Sequence, residues 1–189
     1  MKNNTVYTKE EYESDSGMLT SVWGPSLWHF LHTLSFNYPV NPTPLQKKQY
    51  RDFIYSLQYI LPCRYCRENL TTNLKSVCFN DKCLKNRESF SRAIYDLHNH
   101  VNIMLSKKKY KTYEEVRDCY ENFRSRCKLP IKNKSYKKLN QKNKKSSKKE
   151  KGCVNPLYGV KSKCVINIVP KTCKKKTFNV DKQCLAIRK

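Results

Sequence analysis

The chain has 189 residues and carries 39 Lys or Arg against 15 Asp or Glu, a formal net charge of +24 at pH 7. No apolar run approaches the roughly 20 residues of a membrane-spanning helix, and the opening MKNNTVYTKEEYESDSGM lacks the apolar centre of a signal peptide, so a soluble chain without a cleaved signal is expected. Ten cysteines are many for a reducing compartment, which leaves metal binding, redox chemistry or an unusual compartment.

Residues 1–18 read as a flexible N-terminus and 19–128 as one helical domain. Its first helix runs through VWGPSLWHFLHTLSFN. Pro25 suits the first turn, and Leu27, Trp28, Leu31 and Leu34 or Ser35 recur at helical spacing. The proline-rich YPVNPTP ends it. Thr43 caps a second helix with Pro44 in its first turn, and Tyr50, Phe53, Ile54, Leu57 and Leu61 share a face. Pro62 interrupts, and a short helix starts at Cys63 and carries CRYCRENLTTNL. After the polar connector KSVCFNDKCLKNR, a fourth helix, SFSRAIYDLHNHVNIML, places Phe90, Ile94, Leu97, Val101 and Met104 on one side. Thr112 to Glu115 form a capping box for a fifth, YEEVRDCYENFRSRC, presenting Val116, Tyr120 and Phe123. The fold class is therefore all-α, a four-helix bundle with a short fifth helix. Beyond it the charge is lopsided. Residues 1–127 balance to +6 and residues 128–189 to +18. Residues 129–152 read as a disordered Lys-rich linker, and 153–189 as a small basic tail with four cysteines and a strand-like CVINIV. Such a tail would contact nucleic acid or acidic surfaces by counterion release, or remain a solvated charge run.

Cys63-x-x-Cys66 carries the chemistry, and two readings compete. With Cys78 and Cys83 it offers four thiols at zinc-ligand spacing, which would make a zinc-stabilised nucleic-acid-binding module using the basic tail. Against this, no glycine lies between Cys63 and Cys83. A structural component cross-linked by its cysteines is a further alternative. In the redox reading, a Cys-x-x-Cys at a helix start places the first thiol beside unpaired amides and the positive end of the helix dipole. Its pKa falls, with Arg64 and Arg67 adding positive charge. A dithiol that delivers electrons to O2 needs an intermediary such as flavin. No G-x-G-x-x-G follows a strand, so a flavin would have to sit in the bundle. Trp28 and His32 are four apart on one helix and His98 and Asn102 four apart on another, each pair sharing a face. Their planes would sandwich an adenine, and SKKKYK would meet a pyrophosphate. Packed bundle residues are the plainer reading of each alone.

In combination, WGPSLWHFLH, LPCRYC and LHNHVNIML, in this order and spacing, resemble the Erv/ALR family of FAD-linked sulfhydryl oxidases over about residues 20–127. The resemblance implies a bundle with FAD at its mouth, a homodimer, protein dithiol substrates reached directly or through a thioredoxin-like carrier, and O2 as electron acceptor. It implies that Cys63 is the outer thiol and Cys66 the thiol next to the flavin ring. Gly24, Trp28, His32, His98, Asn99 and Asn102 would line the cofactor, with Val101, Leu105, Lys107, Tyr110 and Tyr120 as neighbours. A structural disulfide found in cellular relatives has no counterpart, its places holding Tyr95 and about Thr112. Cys78 and Cys83 would close a small loop instead. Cys119 and Cys127 would pair only if the helix between them ended. The Lys/Asn/Tyr-rich composition is similar to that of members from large DNA viruses. That implies host cytoplasm, virus factory or virion as the location, or the mitochondrial intermembrane space if the chain is cellular.

Overall fold

The computed structural model describes residues 6–107, 111–126, 153, 155–156, 164–166 and 178–180. Over these run six α-helices: α1 (Lys9–Glu13), α2 (Thr20–Phe36), α3 (Pro44–Ile60), α4 (Arg64–Ser76), α5 (Arg87–Met104) and α6 (Tyr113–Glu121). A 3-10 turn (Asp81–Leu84) separates α4 from α5. Four short strands follow: β1 (Ser125–Arg126), β2 (Asn155–Pro156), β3 (Cys164–Ile166) and β4 (Phe178–Val180). The chain divides into two compact units, Met1–Arg117 with Pro170–Cys173 and Asp118–Val169 with Lys174–Lys189.

The first unit is the bundle. In it α2 packs on α5, α3 on α4, and α4 on α5, with the 3-10 turn against α3 and α5. Ile54, Leu84, Phe90 and Ile94 are completely buried, with Leu31, Leu57, Leu70, Leu74 and Leu97 around them. The apolar faces expected of the second and fourth helices therefore supply the centre of the core, although Met104 at the end of α5 is exposed. Tyr38 is also fully buried. Its hydroxyl donates to the Leu84 carbonyl at 3.0 Å, and its own carbonyl accepts from Arg87 Nε at 2.6 Å. A buried phenol needs such a partner. The tyrosine thus ties the end of α2 to the start of α5.

The helix ends follow local chemistry. Thr43 and Asn86 close capping boxes on α3 and α5, and Pro44 occupies the first turn of α3. Thr112 forms the expected box with Glu115. The Tyr95 hydroxyl donates to the Lys111 carbonyl at 3.0 Å, and Tyr95 packs edge-on against buried Tyr113.

Three expectations are corrected. Helix α2 starts at Thr20, so Pro25 lies inside it rather than in its first turn. Gly24 before it has no Cβ to crowd the proline ring, which eases the helical conformation there. The fifth helix ends at Glu121, and Ser125–Arg126 are extended. The N-terminal stretch read as flexible carries α1, with a capping box from Thr8 and Glu11, and then an ordered crossing over the start of α4.

In the second unit β1 pairs antiparallel with β2, and β3, at the start of the strand-like CVINIV, pairs antiparallel with β4. Tyr120 and Phe123 pack edge to face there.

Candidate active site

Pro62 cannot continue α3, and the chain turns directly into α4 with Cys63 as the N-cap. The Cys63 sulfur accepts from the Cys66 amide at 3.3 Å, the place where Ser or Asp would cap. One helical turn then brings the two sulfurs to 2.7 Å, with the Cys66 thiol donating. Burial works against ionisation of Cys63, but hydrogen bonds from the Cys66 thiol and amide, the Thr20 hydroxyl and the Tyr65 amide outweigh it and hold Cys63 below the usual thiol range. At Cys66, burial and then the hydrogen bond to Cys63 push the thiol up to about 11, with Thr20 and Arg67 pulling the other way. The dithiol is therefore unequal: Cys63 gives up its proton more readily than Cys66.

The N-terminal segment crosses this pair. Gly17 forms an antiparallel bridge to Cys63. The Met18 amide donates to the Pro62 carbonyl at 2.6 Å, and the Arg64 amide to the Ser16 carbonyl at 3.3 Å. Arg67 donates to the Leu61 carbonyl at 2.8 Å and to the Asp15 carboxylate at 2.6 Å. Trp23 Nε1 reaches back to the Met18 carbonyl at 3.2 Å. Gly17 has φ +82°, and a Cβ there would lie 2.6 Å from the Pro62 oxygen. This crossing sets Thr20 Oγ1 3.9 Å from Cys63 Sγ and 3.8 Å from Cys66 Sγ. None of Asp15, Gly17 and Thr20 was legible as a site residue. The signal lay in a backbone pairing across 46 positions, which no local motif announces.

A second cluster lies where α2 meets α5. Trp28 stacks on His98 with centroids 4.2 Å apart and planes 7° from parallel. His32 Nε2 and His98 Nδ1 share a hydrogen bond at 2.9 Å. Burial pushes His32 down to about 4, helped by His29, and His98 down to about 3, helped by His32 and Lys107. Both imidazoles are neutral at pH 7. Asn102, buried at 6% exposure, donates to Asn99 Oδ1 at 3.4 Å, while its own Oδ1 is buried without a hydrogen-bond partner. The sandwich expectation needs correction here. Trp28 and His98 touch each other, so no ring fits between them. Their half-buried pair offers a single continuous face instead. A flat heteroaromatic ring bearing N–H donors fits this set, stacking on that face and supplying the hydrogen that Asn102 Oδ1 lacks.

The other expected residues scatter. Val101 is half-buried on α5, and Leu105 and Lys107 are exposed just past its end. Gly24 is buried, and a Cβ on it would meet the Thr20 methyl at 3.3 Å, so its close neighbour is Thr20. Tyr120 lies in the second unit. Tyr110 and the rest of the basic SKKKYK segment up to it, beyond Lys107, lie outside the described residues, as do Cys127, Cys173 and Cys184. Cys78 and Cys83 do not close a disulfide. Both are free thiols, with Cys83 Sγ 3.8 Å from the Cys78 carbonyl oxygen. Among the described residues no three His, Cys, Asp or Glu side chains gather as metal ligands, so Cys78 and Cys83 do not join Cys63 and Cys66 in a zinc site. Cys153 is disulfide-bonded.

A redox-poised dithiol and an aromatic, imidazole-rich face thus rest on one bundle, with Cys66 and Trp28 both packed against its core. Residues 25–128, more than half of the chain, match the family described as Erv1 / Alr. The chain belongs to the Erv1/Alr family. A protein of Acanthamoeba polyphaga mimivirus named as an FAD-linked sulfhydryl oxidase is 36% identical over 104 residues, covering 55% of this chain and 72% of that one. One of Invertebrate iridescent virus 6, with the same activity in its name, is 31% identical over 46% of this chain and 81% of its own. The mitochondrial FAD-linked sulfhydryl oxidase erv1 of Schizosaccharomyces pombe is 37% identical over 44% of this chain and 46% of its own. The family places the dithiol and the aromatic face in one Erv1/Alr domain.

Proposed function

We propose that this Erv1/Alr chain is an FAD-linked sulfhydryl oxidase that makes disulfides in protein dithiols and delivers the electrons to O2 as hydrogen peroxide. The unequal Cys63–Cys66 pair carries the reading. In the oxidised enzyme a substrate thiolate attacks Cys63 Sγ, breaking the Cys63–Cys66 bond and forming a mixed disulfide. Cys66 leaves as the thiolate. The second substrate thiol then displaces Cys63, so the substrate leaves oxidised and both enzyme thiols are reduced. Exposed Met18, Leu19, Ile60 and Tyr65 border the dithiol along the chain and its N-terminal crossing, and give a protein substrate an apolar landing surface.

FAD, when bound, accepts the electron pair from the dithiol and passes it to O2. Trp28 and His98 would stack on it, and Asn102, with Asn99 and His32 behind, would orient it by hydrogen bonds. Low imidazole pKa values keep that surface uncharged against a flat ring. Homodimerisation, contact of the basic tail with nucleic acid or acidic surfaces, and residence in a virus factory or virion complete the proposal. The mitochondrial intermembrane space is the corresponding site if the chain is cellular.

The test is a visible spectrum followed by turnover. Purified chain should be yellow and consume O2 with a small dithiol. Cys66→Ser should remain yellow and lose turnover. Flavin-free wild type, or full turnover in Cys66→Ser, overturns the assignment.

A further inference from the structure

We propose that Thr20 is a catalytic residue of the dithiol: its hydroxyl donates a hydrogen bond to whichever of Cys63 and Cys66 carries negative charge as the disulfide opens. The inference rests on the dithiol-oxidase reading and adds a group that the Cys-x-x-Cys element does not contain.

Three observations support it. Thr20 Oγ1 lies at sulfur hydrogen-bond distance from both Sγ atoms, 3.9 and 3.8 Å. Among the described residues, no other side chain apart from the two cysteines themselves hydrogen-bonds to either sulfur. Thr20 is also held in place. It follows the Gly17 bridge and the Met18 amide bond to Pro62 as the first residue of α2, and its methyl packs over Gly24, where an added Cβ would stand only 3.3 Å away.

The exchange produces two thiolates in turn. Attack on Cys63 breaks the internal S–S bond, forms the mixed disulfide and leaves the electron pair on Cys66. Attack by the second substrate thiol breaks the mixed disulfide and leaves an electron pair on Cys63. Stabilised leaving thiolates speed both breaks. A single hydroxyl placed between the sulfurs serves both without moving, since it needs only to rotate its hydrogen. Hydrogen bonds to an ionised acceptor are the strong ones, so the contact tightens as charge develops.

The experiment compares wild type, Thr20→Val and Thr20→Ser in the full-length chain. Valine keeps the shape and the methyl but replaces the hydroxyl with a second methyl, and serine keeps the hydroxyl. The first readout is alkylation of reduced Cys63 by iodoacetamide against pH, followed on the Cys63 peptide by mass spectrometry. It needs no flavin and no turnover. Thr20→Val should move the midpoint up by about half a pH unit or more, and Thr20→Ser should restore it. The second readout is dithiol oxidation at pH 7, where Thr20→Val should fall about tenfold at unchanged flavin content and Thr20→Ser should recover most of the rate. A wild-type alkylation profile in Thr20→Val overturns the role of Thr20, as does a loss that serine fails to rescue. An inactive wild type with the alkylation shift intact would instead overturn the oxidase reading and leave the Thr20 contact standing.

Discussion

His32 and His98 meet through one hydrogen bond, and burial keeps both imidazoles neutral. Their folded pKa values, about 4 and about 3, lie below the 6.5 of an unfolded histidine. Above pH 6.5 neither state binds the protons and the pair leaves stability unchanged. As pH falls from 6.5 toward 4 the unfolded chain takes up protons that the folded chain refuses, so stability is lost through that window. His32 alone accounts for roughly 3 kcal/mol by pH 4 at 1.36 kcal/mol per pKa unit. Urea unfolding of flavin-free protein should show a midpoint falling from pH 7 to pH 4, and His32→Phe should flatten that slope. The neighbouring stack gives a separate test. Trp28→Ala removes one half of the aromatic face and should release the flavin, read as loss of visible absorbance at retained helical circular dichroism. That Trp28 and His32 share one helix face, and His98 and Asn102 another, was legible from their four-residue spacing, while their reading as cofactor residues came only from the resemblance of the combined motifs. That Trp28 would lie flat on His98 was not legible, since it depends on how closely α2 and α5 approach.

At the scale of elements, helix faces, the cap at Thr43, the capping box at Thr112, and the start of α4 at Cys63 were all readable. Each is decided by residues within a turn or two of one another. The beginning of α2 was not. Pro25 is a strong local signal for a first turn, and the non-local pairing of residues 16–18 with 62–64 draws the helix back to Thr20. Gly17 is the residue on which this crossing turns. Gly17→Ala puts a Cβ 2.6 Å from the Pro62 oxygen in a left-handed backbone, φ +82°. The expected local loss is on the order of 1–3 kcal/mol. Amide hydrogen exchange would locate it. Met18 and Arg64 should lose protection, while amides in α3 and α5 keep theirs. Unchanged protection at Met18 and Arg64 would show that the crossing tolerates the methyl.

Over the whole molecule, the bundle and the basic residues behind it answer to different forces. The bundle depends on burial. Ile54→Ala removes a side chain at 0% exposure and should lower unfolding stability by about 2–5 kcal/mol in a denaturant titration. The +18 carried by residues 128–189 would act through counterions, so a chain ending at residue 127 should elute from heparin at lower salt than the full chain while keeping its flavin. The all-α class and the bundle were legible because apolar periodicity persists through residue 104. After residue 130 composition takes over from periodicity, and composition names a charge without naming a structure.

The capping role of Cys63 has a consequence for reduction potential. Its sulfur takes the place of the Ser or Asp oxygen at the start of α4, and it caps best as a thiolate. Closing the disulfide would remove the charge of that thiolate, so the oxidised helix would be capped less well than one capped by the thiolate. If the difference is about 1 kcal/mol, typical of a helix cap, it raises the potential of the pair by about 20 mV. Folding would thereby make Cys63–Cys66 a stronger oxidant, since each electron pair it accepted would leave a better-capped helix.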